Sequence, residues 1–180
     1  MKPIIIAIVG PSGCGKTTMA EYVKEVFNIP TIVSFTTRPM RDGETQGREH
    51  QFVTDEQLPP QDEMLAYTKF GGYHYWAMHS QIPAKGICTY VIDEKGLLML
   101  DEKFGDKYDL FPVLIQMDEN QLQADASRTQ RDKNRVVLSD EWYKLTITND
   151  GTLDEFLQKV KLVIGNEINT NPLFHNFNIR

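Results

Sequence analysis

The chain has 180 residues, with 19 lysines and arginines against 25 aspartates and glutamates, a formal net charge of −6, and 41% hydrophobic residues. That length suits one domain with a real core, and the acidic balance argues against a broad field attracting nucleic acid or membrane, so an anionic ligand has to be met by individually placed cations. The two cysteines, Cys14 and Cys88, give neither a disulfide framework nor metal-ligand spacing, and the short apolar N-terminal run is expected to be neither a signal peptide nor a membrane span, which makes the cytoplasm the expected location.

The run Ile4-Ile5-Ile6-Ala7-Ile8-Val9 is short, continuous and β-branched, and reads as a buried strand. It leads directly into Gly10-Pro11-Ser12-Gly13-Cys14-Gly15-Lys16-Thr17, after which Met19, Tyr22, Val23, Val26 and Phe27 recur at helical spacing. Strand, glycine-rich loop and helix in that order are the setting of a phosphate-cradling loop. Gly10, Gly13 and Gly15 let successive N–H groups curl toward phosphate oxygens, and the helix N-terminus adds its positive dipole end. Lys16 supplies a mobile ammonium for the β and γ phosphates, and the Thr17 hydroxyl is placed to ligate Mg²⁺. A nucleoside triphosphate with Mg²⁺ is therefore the expected ligand of Gly10, Ser12, Gly13, Cys14, Gly15, Lys16, Thr17 and Thr18. Position near a helix N-terminus would favour a Cys14 thiolate, against the plainer reading of a small residue that fits the loop. Cys88 lies in an apolar run and reads as inert core.

Asn28-Ile29-Pro30 breaks the helix and Thr31 to Val33 begins a second strand. The polar, turn-rich stretch from Ser34 to Glu44 carries Arg38 and Arg41 among hydroxyls, a candidate second anion site separate from the loop. Residues 48 to 76 are short, mixed and aromatic-rich, densest from Phe70 to Trp76, and read as small β elements with a hairpin. Cys88 to Ile92 is a further buried strand ending in Asp93. An acid there suits water-mediated Mg²⁺ or substrate contact, the alternative being a plain strand-end turn. Leu97 to Phe104 reads as a short helix and Leu110 to Met117 as the next strand. From Asp125 to Arg135, Arg128, Arg131 and Arg135 share one helical face, a stripe suited to closing over polyphosphate. Lys144 to Thr148 is a last strand, Asn149-Asp150-Gly151 a turn, Leu153 to Ile164 a closing amphipathic helix, and residues 165 to 180 a docked or frayed tail. His50, His74, His79 and His175 show no metal spacing.

The phosphate loop, then Ser34, Thr36, Thr37, Arg38, Arg41, Gly43 and Glu44, then Gly47 and Phe52, together resemble the guanylate kinase family over most of the chain. Phe70, Gly72 and Tyr75 are similar to its later aromatic motif, Ile92 to Gly96 to its strand-end motif, and Thr148-Asn149-Asp150 to its loop near the donor adenine. The resemblance implies an α/β, P-loop NTPase-type parallel sheet flanked by helices, with a small mixed β acceptor-binding subregion and a short helical lid. It implies one domain over residues 1–180, with its core in 1–33, 81–118 and 137–180, the acceptor region in 34–80 and the lid in 119–136. It implies that the triphosphate is ATP, with transfer of its γ-phosphoryl to GMP, dGMP or a related nucleoside monophosphate. Lys16, Arg38, Arg128, Arg131, Arg135 and Asp93 would be catalytic, and Thr17 and Asp93 would hold Mg²⁺. Ser34, Arg38, Arg41, His50, Ala66, Tyr75, Trp76, Ala77 and Asp93 would contact the acceptor, and Asn149 the donor.

The departures lie in the base pocket. The family's guanine-reading glutamate falls on Ala66, its Ser or Thr on Ala77, the preceding glycine on Trp76 and a phosphate-binding tyrosine on His50, with Glu63 a possible substitute for the glutamate. Each buried donor left unpaired costs about 1 to 3 kcal/mol, so strict guanine selection is hard to build here. Trp76 offers an apolar face to stack on a base or fill its space, the alternative being a plain surface or packing aromatic. The expected partners are small-molecule nucleotides, with no nucleic acid or membrane and with protein partners left open. Alternative readings are a kinase for another small phosphate ester, such as a modified or pyrimidine nucleotide or ribose 1,5-bisphosphate, and a non-catalytic phosphopeptide-binding module.

Overall fold

The computed structural model describes residues 2–118, 135–175 and 177. Six consecutive buried residues form β1 (Ile4–Val9), which the glycine loop connects to α1 (Lys16–Phe27). Short strands β2 (Thr31–Ile32), β3 (Phe35–Thr36) and β4 (Gln51–Phe52) follow, then the hairpin β5 (Met64–Phe70) and β6 (Tyr73–Met78). The chain continues through β7 (Ile87–Val91), α2 (Glu94–Phe104), β8 (Asp109–Gln116), β9 (Leu145–Thr148) and α3 (Leu153–Thr170).

The main sheet has the order β2-β7-β1-β8-β9, every pairing parallel, and the second sheet has the order β4-β3-β6-β5 with mixed pairings. On one face of β1, Ile4, Ile6 and Ile8 pack with Met19, Ala20 and Val23 of α1 and Phe156, Val160 and Ile164 of α3. On the other face, Ile5, Ala7 and Val9 meet Leu97 and Leu100 of α2, together with Leu65, Ala66 and Ala77 of the second sheet. Covering on both faces is why β1 reads as an unbroken apolar run, since a strand buried on one face only would alternate. Each large aliphatic side chain so buried contributes about 1.5 to 3 kcal/mol before conformational entropy is charged against it.

Two helices are longer than their apolar spacing predicts. α2 starts at Glu94, ahead of Leu97, because the Asp93 side chain accepts from Gly96 N at 2.7 Å and caps the first turn. α3 runs past Ile164 to Thr170, with a capping box in which Thr152 N donates to Glu155 Oε2 at 2.7 Å and Glu155 N to Thr152 Oγ1 at 3.3 Å. The described part of the tail is docked: Phe174 is buried and meets Phe111 edge-on at 5.1 Å. Among the described residues no helix is long and apolar enough to cross a membrane.

Parallel strands bring their carboxyl ends to one edge. Gly10 follows β1, Asp93 and Glu94 follow β7, and Asn149 follows β9. Residues more than a hundred positions apart in sequence thereby line one crevice, the usual ligand edge of an open α/β sheet.

Candidate active site

The loop after β1 is built on backbone conformations that only glycine adopts without strain: Gly13 has φ +83° and Gly15, the residue before α1, has φ +103°. A β-carbon on Gly15 would come within 3.1 Å of both Asn149 Nδ2 and the Phe156 ring, and one on Gly10 would reach 2.5 Å from the Ile115 carbonyl oxygen. The loop is thus tied to β8, β9 and α3 at once. Asn149 completes the tie by donating from Nδ2 to the Cys14 carbonyl at 3.0 Å. The Lys16 ammonium lies over the loop and donates to the Gly10 and Pro11 carbonyls at 2.8 and 2.6 Å. Gly13, Gly15, Lys16, Thr17 and Thr18 line an open cavity of about 210 Å³. Glycine cradle, ammonium and helix N-terminus together suit the polyphosphate of a nucleotide. Cys14 is fully buried beneath them. Burial pushes its thiol up despite the nearby Lys16 ammonium and Arg135 guanidinium, so the side chain is a packed thiol and not the thiolate its place near a helix start would favour.

A second set of side chains gathers on the small sheet. Arg38 is buried, and its Nη1 and Nη2 donate to Glu44 Oε2 and Oε1, each at 2.9 Å. Nη1 also donates to the Pro39 carbonyl at 2.7 Å, and the same Glu44 Oε2 accepts from Arg41 N at 2.8 Å. The guanidinium lies 5.3 Å from the centre of the Phe52 ring. Burial draws its pKa down, but the bonds and charge of Glu44, reinforced by the Tyr75 hydroxyl, more than offset that and hold Arg38 as a cation. His50 meets Tyr75 edge-on at 5.7 Å and Phe52 at 5.8 Å. Arg38, His50 and Tyr75 therefore come together, as an anion site distinct from the loop requires. Ser34 stands at the other end of β3, its hydroxyl donating to Tyr90 OH at 3.3 Å.

The positions matched to base readers have a different character. In the β5–β6 pairing Ala66 faces Ala77 and Thr68 faces Tyr75, whereas Tyr67 faces Trp76. Ala66 and Ala77 are 8% and 0% exposed and belong to the apolar cluster of Tyr90, Ile92 and Leu97. Trp76 alternates to the opposite side from Tyr75 and Ala77, is buried, and stacks on Phe35 at 5.4 Å and 12°. Its ring packs against a neighbouring strand, which uses up the face that the sequence offers to a base. Glu63 is exposed in a short 3₁₀ turn before β5.

Asp93 is exposed, and one carboxylate oxygen caps α2. The next residue, Glu94, is 1% exposed and binds Arg135, whose Nε donates to Glu94 Oε1 at 2.6 Å, with Nη2 on the same oxygen. Arg128 and Arg131 lie outside the described residues, as does most of the proposed lid. Among the described residues no three His, Cys, Asp or Glu side chains gather as a metal cluster. A divalent ion here would rest on Thr17, on Asp93 and on the phosphates it accompanies, an arrangement that suits Mg²⁺.

Sequence reasoning passed over Glu94 and the bridging role of Glu44. Glu44 had a signal, an acid six residues after Arg38 in a turn. Glu94 had none, because an acidic residue in a first helical turn reads as dipole compensation whether or not it is buried.

A family model described as guanylate kinase matches residues 1–86. The chain is 31% identical over 183 residues to the guanylate kinase of Streptococcus agalactiae serotype III, covering 89% of this chain and 85% of that protein. It is 29% identical over 178 residues to the guanylate kinase of Nostoc sp., covering 89% and 88%. In fold it is similar to the crystal structure of guanylate kinase from Anaplasma phagocytophilum, with a TM-score of 0.65 over 94% of this chain and 88% of that one, at 20% identity. A second model, for the first oligonucleotide/oligosaccharide-binding domain of BRCA2, matches residues 109–173. Its described part holds two parallel strands of the main sheet and α3, which is not a barrel.

Proposed function

The chain belongs to the guanylate kinase family, and from that premise we propose that it transfers the γ-phosphoryl of ATP to the phosphate of GMP, dGMP or a related nucleoside monophosphate, giving ADP and the diphosphate. The observation that carries the reading is the pairing of an intact phosphate loop with a second, buried cationic site that Glu44 holds open in shape. Two anion sites on separate segments are what a transfer between two phosphate esters needs.

Phosphoryl transfer asks the protein for little covalent chemistry, so alignment and charge stabilisation account for most of the rate. The loop N–H groups and the α1 N-terminus receive the donor phosphates. Lys16 leaves the Gly10 and Pro11 carbonyls to follow the charge that grows between β and γ positions. Arg38, fixed in plane by two bonds to one carboxylate, presents its remaining surface beside Tyr75 and His50 to the acceptor phosphate, with Arg41 adjacent. Arg135, joined by Arg128 and Arg131, neutralises charge on the transferring group. Thr17 and Asp93 would hold Mg²⁺, which when bound adds positive charge between the phosphates. Asn149, at the end of β9, borders the donor base.

A second reading, a kinase for another small phosphate ester, is favoured by one observation: Ala66 and Ala77 offer methyl groups where guanine recognition needs a carboxylate and a hydroxyl. The test is ADP release by purified protein with ATP, Mg²⁺ and a panel of nucleoside monophosphates and sugar phosphates. Turnover with GMP or dGMP supports the first reading. Turnover confined to a pyrimidine nucleotide or a sugar phosphate selects the second, and ATP binding with no acceptor turnover would leave only a binding module.

A further inference from the structure

Glu94 and Arg135 come from segments 41 residues apart and meet at the carboxyl end of β7, beside the phosphate loop. The side chain of Glu94 is 1% exposed and that of Arg135 20%. Nothing in α2 requires an acid at this position, because Asp93 already caps the helix. Packing does not require one either, since a buried ion pair is commonly matched or bettered by apolar residues of the same volume. What the pair does supply is orientation. Nε and Nη2 of Arg135 both engage Glu94 Oε1, which fixes the plane of the guanidinium. Nη1, on the opposite edge, has no hydrogen-bond partner among the described residues. The charge of the guanidinium acts on Cys14 inside the loop and on the Tyr143 hydroxyl.

We propose that Glu94 is a positioning residue that sets the guanidinium of Arg135 against the phosphate loop, with the free edge turned to the terminal phosphate of a bound nucleoside triphosphate. The inference rests on the proposed function for the identity of that ligand. It adds a residue that touches neither substrate and acts through Arg135 alone. Its signature is discrimination between triphosphate and diphosphate, because only the triphosphate carries the group the free edge would meet.

The experiment measures equilibrium binding of ATP and ADP, without acceptor, to the wild type, Glu94→Gln, Arg135→Ala and the double variant. Glu94→Gln and Arg135→Ala should each weaken ATP by about tenfold, the scale of one charge-assisted bond, with ADP held within about twofold. The double variant should bind ATP no more weakly than Arg135→Ala, because Glu94 has nothing left to position. Glu94→Asp should restore part of the ATP preference. Equal weakening of ATP and ADP, a further loss in the Arg135→Ala background, or unchanged ATP binding would each overturn the proposal. If Glu94→Gln does not fold, Glu94→Met, which fills the volume without a buried polar group, carries the same expectations. A wild type that prefers ATP to ADP yet phosphorylates no acceptor would sink the proposed function while leaving this cycle decisive.

Discussion

Glu44 accepts three hydrogen bonds, from Arg38 Nη1 and Nη2 and from Arg41 N, at 2.9, 2.9 and 2.8 Å. Glu44→Gln keeps the shape but leaves one acceptor oxygen for three donors, and its new NH₂ points at a donor whichever way it flips. Each donor left unsatisfied beside a charge is worth about 1.5 to 3 kcal/mol, and both side chains are 9% exposed, so a loss of about 2 to 4 kcal/mol at pH 7 is expected. For a domain of this size that is a fall in Tm of about 5 to 15 °C. The pH dependence follows from the carboxyl. Burial raises its pKa, but the bonds from Arg38 and from the Arg41 N–H, with both guanidinium charges, outweigh burial and hold it below the usual value. A lowered folded pKa contributes stability that is complete above the unfolded value, about 4.3, and is lost as pH falls through the folded one. The Tm gap between wild type and Glu44→Gln should therefore narrow on acidification below about pH 4.3. Thermal unfolding followed by circular dichroism from pH 7 to pH 3 reads this directly. A gap of under a degree at pH 7, or one that stays constant to pH 3, would refute the reasoning.

Lys16→Ala should remain folded but lower kcat for ADP release by about a hundredfold or more, since it removes charge stabilisation that grows in the transition state; near-normal turnover would contradict the kinase reading. Arg41→Ala should raise the KM for the acceptor and leave that for ATP unchanged, and a selective loss of ATP affinity would show that the two anion sites have been assigned the wrong way round. Discrimination between GMP and AMP should fall well short of the about 10⁴ to 10⁵ that a fully hydrogen-bonding pocket reaches, and Ala66→Glu with Ala77→Ser should move kcat/KM toward GMP. Trp76 should be left in place in that variant, because removing the ring that stacks on Phe35 would cost about 3 to 5 kcal/mol by itself. Stringent GMP selection by the unmodified chain would instead direct attention to Glu63.

The parts of the molecule that were legible in the sequence are those where one physical requirement dominates a stretch of chain. β1 had to be apolar throughout because both faces are covered, and the loop favoured glycine at Gly13 and Gly15 because other residues adopt those backbone angles only with strain. The length of α3 beyond Ile164 was not visible, since its last turns expose Asn166 and Asn169 and leave only Ile168, half-buried against the core, to continue the apolar stripe. Trp76 was ambiguous because β3 is two residues long, too short for its pairing with β6, and hence for the stack with Phe35, to be read from alternation. Glu94 was invisible for a different reason. Whether an acid is exposed or ion-paired in the interior depends on a partner 41 residues away, and local patterning carries no information about that partner.

Both cysteines are shielded in the folded chain, Cys14 beneath the phosphate loop and Cys88 within β7, and burial pushes the Cys88 thiol up to about 12. A thiol reagent added to the native protein accordingly has nothing to react with until some part of the chain opens. Modification of Cys14 requires only the glycine loop to lift away from β8 and Asn149, whereas Cys88 sits in a strand flanked on both sides by β1 and β2. The difference between the two alkylation rates is then a clock for breathing of the loop, readable by mass spectrometry without any introduced label.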